Sequence, residues 1–155
     1  MSTAYKVPEA FIEQRNERQG KYKLFGRTPY HQLMDIDAEL YEYDLINECG
    51  YEDDDRWQVD FVHEGVTHDA KCIDKWYNIS QRKLCSLLRQ RKITDKFTFW
   101  EWQVRPDRPL EAGDHVVMNH LITKPYWDVM DKLQPSGYPK ANPSGYYIDI
   151  RKMLK

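Results

Sequence analysis

The chain has 155 residues, of which 41% are hydrophobic and 31% charged, with a formal net charge of −2. That length and mixture specify one globular domain with a real core, and they argue against a generic nucleic-acid coat while leaving room for local basic surface. Five Trp and eleven Tyr suit either a compact core or an adhesive interface.

Three cysteines, Cys49, Cys72 and Cys85, stand apart with no CxxC. With no signal peptide, this odd set points to a reducing, cytoplasmic setting. No apolar run approaches the roughly 20 residues that cross a bilayer, so no membrane partner is expected.

The first predicted helix starts at Pro8, runs through Gln19 and is closed by Gly20, with a thin apolar face of Phe11 and Ile12. Lys21, Lys23 and Arg27 follow in a loop. Thr28 and Pro29 then form a good helix start. Tyr30, Leu33, Ile36, Leu40 and Tyr43 recur at helical steps as far as Gly50, predicting a helix over 29–48 of about five turns. Its other faces carry Asp35, Asp37, Glu39, Glu42, Asp44 and Glu48, and Glu52–Asp55 and Asp60 extend the acidic block. Such a block reads as a solvated face, as a docking surface for a basic partner (the chain's own basic helix included), or as carboxylates for a metal ion. Asp35 and Asp37 point about 200° apart on a helix and cannot chelate one ion, whereas Asp53–Asp55 could.

Trp57, Val59 and Phe61 alternate with polar residues, so Arg56–His63 reads as a half-buried strand ending at Gly65. From Thr67 to Ile93 two short helices are expected. Thr67 is placed as an N-cap, and Ala70, Ile73 and Tyr77 share a face. Asn78 makes the turn and Ser80 caps the second helix. Ile79 and Leu84 are set for a hydrophobic staple, and Leu84, Leu87 and Leu88 form the buried stripe. Arg82 and Lys83 oppose the helix dipole at about 0.3–1 kcal/mol each, a cost that an external anion would offset. Arg82, Ser86 and Arg89 share the face opposite the leucines.

Residues 67–93 resemble a helix-turn-helix, with Ile73 and Tyr77 in the first helix, Asn78 in the turn and Ser80 opening the recognition helix. Asn78 stands where the family favours Gly, and Asp74 where it favours a small residue. The resemblance implies DNA binding, with Gln81, Arg82 and Ser86 nearest base edges in the major groove and Lys83 and Arg89 on phosphate. The bland alternative is an αα-hairpin with a solvated basic face.

Phe97–Val104 and His115–Ile122 read as a β-hairpin spanning 97–122, with Val116, Met118, His120 and Ile122 on one face. A hairpin directly after a basic helix is similar to the winged variant of the helix-turn-helix, which would bring Arg105 and Arg108 to phosphate. A further helix follows Pro125, its buried stripe being Tyr126, Val129, Met130 and Leu133. Pro135-Ser136-Gly137-Tyr138 recurs as Pro143-Ser144-Gly145-Tyr146 in an extended arm over 135–155, where Tyr147, Ile148 and Ile150 make an edge strand.

No P-loop, GxGxxG, GxSxG or HExxH occurs. His68 and Cys72, four apart on a helix, could share a metal but lack further ligands. The expectation is therefore an α+β chain with a single small domain over 1–134, a helix-turn-helix-like pair, a short antiparallel sheet and a C-terminal arm. The leading functional reading is a non-enzymatic DNA-binding protein, possibly a regulator, with no cofactor and no metal. The second is an assembly component of viral or mobile-element type, docking to a protein or to itself through the acidic helix 29–48 and the arm 135–155. The third is a metal-dependent phosphodiester enzyme using Asp53–Asp55 and a histidine.

Overall fold

The computed structural model describes residues 2–21, 28–54, 59–73, 78–79, 87–89, 93–135 and 146–148. The chain is α+β. It contains β1 (Ser2–Lys6), α1 (Glu9–Lys21), α2 (Pro29–Asp37), α3 (Leu40–Asn47), β2 (Phe61–His63), β3 (Val66–Cys72), β4 (Asn78–Ile79), β5 (Lys96–Val104), β6 (His115–Pro125), α4 (Tyr126–Met130), β7 (Leu133–Pro135) and β8 (Tyr146–Ile148). A five-stranded mixed sheet has the order β1-β6-β5-β3-β2, and a smaller sheet has the order β4-β8-β7. Residues gather into two units: Met1–Gly50 with Trp102–Asn119, and Tyr51–Glu101 with His120–Lys155.

In the first unit β1 lies antiparallel to β6, with Ser2 opposite Asn119 and Lys6 opposite His115. Pro8 precedes α1, and Phe11 and Arg15, one turn apart, form its buried face. Thr28 caps α2 by accepting from the His31 amide, and Pro29 opens the helix. The expected single helix over 29–48 is two helices. At the step between them Glu39 N donates to Ile36 O at 2.9 Å, a 3₁₀-type bond that tightens the turn just after Asp37. Val7, Phe11, Ile36, Leu40, Leu110, Val116 and Met118 are buried in this unit.

In the second unit β2 and β3 form a hairpin whose turn residues, Glu64 and Gly65, both have positive φ (52° and 78°), as a two-residue turn between twisted strands requires. β3 then runs parallel to β5, with His68 opposite Lys96 and Cys72 opposite Trp100. Leu87, Phe97, Phe99, Tyr126 and Val129 make one buried cluster, flanked by Ile73, Leu121, Ile122 and Met130.

Several expectations are corrected here. The predicted first helix of the pair is, from Val66 to Cys72, a strand, and its predicted turn residue Asn78 lies in β4. Thr67 caps no helix: its hydroxyl donates to Ile93 O and accepts from Asp95 N. The same residues also alternate, with Thr67, Asp69 and Lys71 on one face and His68, Ala70 and Cys72 on the other. Pairing with β2 and with the aromatic β5 decides in favour of that period. Of the predicted strand over 56–63, Phe61–His63 is a strand, and residues 56–58 lie outside the described residues. The edge strand expected of Tyr147, Ile148 and Ile150 is β8, which sits in the middle of its sheet between β4 and β7, with Ile150 outside the described residues.

Candidate functional site

The predicted base-reading and phosphate residues Gln81, Arg82, Lys83 and Ser86 lie outside the described residues. Arg89 lies in a helical turn over 87–89 and is exposed. The two loop arginines are engaged within the first unit. Arg105 is 18% exposed and 3.5 Å from Asp37. It donates to Arg108 O at 3.2 Å and lies 4.8 Å from the Trp102 ring centre. Arg108 makes a two-pronged bond to Asp114 at 2.8 and 2.9 Å. That bond draws the Asp114 carboxyl below its usual pKa.

The acidic helices also find partners inside the first unit. Asp37, fully buried, accepts from Arg15 at 2.8 Å and from the Leu110 amide at 2.9 Å. Glu39 accepts from Arg18 at 2.6 Å. The basic partner of the acidic stretch is thus α1 for these two carboxylates, where the sequence had suggested the basic stretch after Ser80.

His68 and Cys72 do not stand one helical turn apart, the arrangement that could have let them share a metal. Four residues apart on a strand they are ~13 Å apart along the chain, beyond the reach of one ion. Among the described residues no three His, Cys, Asp or Glu side chains are grouped to hold a metal.

Two arrangements in the second unit emerge from the fold. The first is a surface. The Tyr126 hydroxyl donates to Leu87 O at 2.6 Å, and both residues are buried. Their sequence neighbours point outward: Leu88 is 51% exposed and Trp127 is 61% exposed. Tyr126 is held from two further sides, by its amide on Asp95 O at 2.9 Å and by stacking on Phe97 at 5.4 Å. Arg89, next to Leu88 in the chain, and Asp128, Asp131 and Lys132, which follow Trp127, are also exposed. Leu88, expected in the buried stripe, is therefore a surface residue. Trp127 falls outside the predicted stripe of α4, so its exposure was readable from helical spacing alone.

The second arrangement is a hydrogen-bonded series of side chains across β3, β5 and β6. His68 Nδ1 meets Thr98 Oγ1 at 3.0 Å, Thr98 Oγ1 meets Thr123 Oγ1 at 3.2 Å, and Thr123 Oγ1 meets His120 Nε2 at 2.8 Å. Phe61 stacks on the His68 ring at 4.8 Å. Burial, reinforced by the nearby Lys96 and His63 charges, pushes His68 down to about 4. Burial also lowers His120. The His68 imidazole is therefore neutral at pH 7, and its threonine partner orients the ring. No local motif marks this series, because two threonines in strands look like ordinary strand residues.

Among the described residues, no helix is long and apolar enough to cross a membrane. No protein-family model, curated protein or solved structure matches the chain.

Proposed function

We propose that this chain is a non-enzymatic binding protein that docks on another protein through the Leu88 and Trp127 surface of its second unit. The observation that carries this reading is that two outward-facing apolar side chains, 51% and 61% exposed, have sequence neighbours joined by a buried hydrogen bond. An exposed indole beside the anchored Tyr126 offers large contact area, which is the usual character of an interface anchor. Asp128 and Asp131, one and four residues along the chain from Trp127, are exposed, and their carboxylates disfavour a phosphate backbone. The acidic stretch 29–48 and the arm 135–155, the docking surfaces first expected, supply less. Asp37 and Glu39 are held by α1, and residues 146–148 of the arm are paired in a sheet.

DNA binding through the basic stretch 80–92 is the second reading, and exposed Arg89 beside Leu88 favours it. One experiment separates the two. A photo-crosslinking residue at position 127, in cells producing the chain, is expected to give protein adducts that Leu88→Ala diminishes. Nucleic-acid adducts, together with a low-salt gel shift weakened by Arg89→Ala, would favour the second reading. Absence of any adduct would remove the first.

A further inference from the structure

We infer that His68, Thr98, Thr123 and His120 form one coupled switch, in which the half-buried His120 sets the tautomer of the buried His68. Three contacts link them: His68 Nδ1 to Thr98 Oγ1 at 3.0 Å, Thr98 Oγ1 to Thr123 Oγ1 at 3.2 Å, and Thr123 Oγ1 to His120 Nε2 at 2.8 Å. Each contact, as a hydrogen bond, needs one proton. The two hydroxyls supply two, so a ring nitrogen at one end has to supply the third. If that nitrogen is Nε2 of His120, Thr123 accepts from it and donates to Thr98, and Thr98 donates to His68 Nδ1. His68 then carries its own proton on Nε2. If Nδ1 of His68 donates instead, every bond reverses, and His120 accepts at Nε2 with its proton on Nδ1. In either order the two neutral rings hold the same tautomer. Donation from both ends would leave one hydroxyl proton over, and among the described residues neither hydroxyl has an acceptor outside the series. The resting order is the first, because it gives both rings the Nε2–H form that a free histidine favours.

Burial enforces the coupling. Thr98 is 3% exposed and His68 7%, and Phe61 stacks on the His68 ring at 4.8 Å, so a bond left unmade there strands a buried polar group. A change in whether His120 donates or accepts at Nε2 is thereby read at His68, two strands away in the sheet. This does not depend on what docks at Leu88 and Trp127.

The test is imidazole nitrogen NMR on the full chain at about pH 7.5, where both rings are neutral. Wild type is expected to show His68 and His120 both as Nε2–H, and rings of unlike tautomer would overturn the inference. His120→Glu puts an acceptor-only carboxylate at the end of the series. The main form of His68 is expected to convert to Nδ1–H; a His68 that stays Nε2–H would overturn the inference. Thr98→Val/His120→Glu keeps the new charge and cuts the bridge, so His68 should return to Nε2–H. A double variant still in the Nδ1–H form would mean that the charge acts through space, and would also overturn it. The charges that act on His68 in the wild type, those of Lys96, His63 and Asp95, are the same in every variant. Should His120→Glu fail to fold, like or unlike tautomers in the wild-type rings decide the matter.

Discussion

Arg15 of α1 donates to Asp37 at the end of α2 at 2.8 Å, with 6% of the arginine side chain and none of the aspartate exposed. The same guanidinium nitrogen reaches Leu110 O at 2.6 Å, and the Leu110 amide returns to Asp37 at 2.9 Å. Removing one partner strands a charge in the first unit's interior. Asp37→Ala is expected to lose about 3–5 kcal/mol of stability in urea unfolding. The double change Arg15→Met/Asp37→Leu is expected to lose less than Asp37→Ala, because it removes both charges and fills their volume. A double variant weaker than the single one would show that the pair contributes more than its own neutralisation.

Tyr126→Phe removes one hydroxyl and leaves Leu87 O without that donor. The ring stays stacked on Phe97, so the expected cost is about 1–3 kcal/mol rather than the loss of a core residue. Amide exchange at residues 87–89 should rise more than exchange in β5. Equal rises in both would mean that the bond does not specifically hold the helical turn.

The depressed His68 pKa has a defined consequence for acid stability. The folded state holds the ring neutral down to about 4, whereas an unfolded histidine takes a proton near 6.5. Its neutral form is therefore accommodated without penalty above about pH 6.5, and stability falls as pH drops from there to the folded value. The fall attributable to His68 should be about 1–3 kcal/mol between pH 6.5 and 4. His68→Phe, which keeps a ring against Phe61, should flatten that part of the profile. An NMR titration of His68 with its midpoint near 6.5 would contradict the burial seen here.

Thr98→Val keeps the shape of the side chain and breaks the series between His68 and Thr123 at its centre. Left with polar atoms facing a methyl group, the site should lose about 1–3 kcal/mol. The accompanying sign is a change in the His120 titration, because Thr123 is then free to reorient its hydroxyl. A variant of wild-type stability with unchanged His68 and His120 titrations would show that the hydroxyl bridge is incidental.

Trp127→Ala, by contrast, should change stability by less than about 0.5 kcal/mol, since the indole is largely outside the core. Its effect should appear in association alone. A loss of several kcal/mol in unfolding would mean that Trp127 supports the fold and is no docking anchor.

The α+β class, the strands β5 and β6 that lie side by side, the capped start at Thr28 and Pro29, and the buried Tyr126 and Val129 were all legible from local signals. Each depends on a cap, a turn residue or a period that neighbouring residues set by themselves. The segment 66–72 was different. Ala70 and Ile73 lie at helical spacing, while Thr67, Asp69 and Lys71 alternate, and nothing within seven residues chooses between the two periods. The choice came from backbone pairing with Phe61–His63 on one side and Lys96–Trp100 on the other, the latter far along the chain. The same long-range pairing brought His68, Thr98, Thr123 and His120 together and placed β8 between two strands. Local sequence determined where elements could start and stop. Tertiary structure decided which period the ambiguous segment obeyed, because strand pairing is satisfied by residues that the segment itself does not contain.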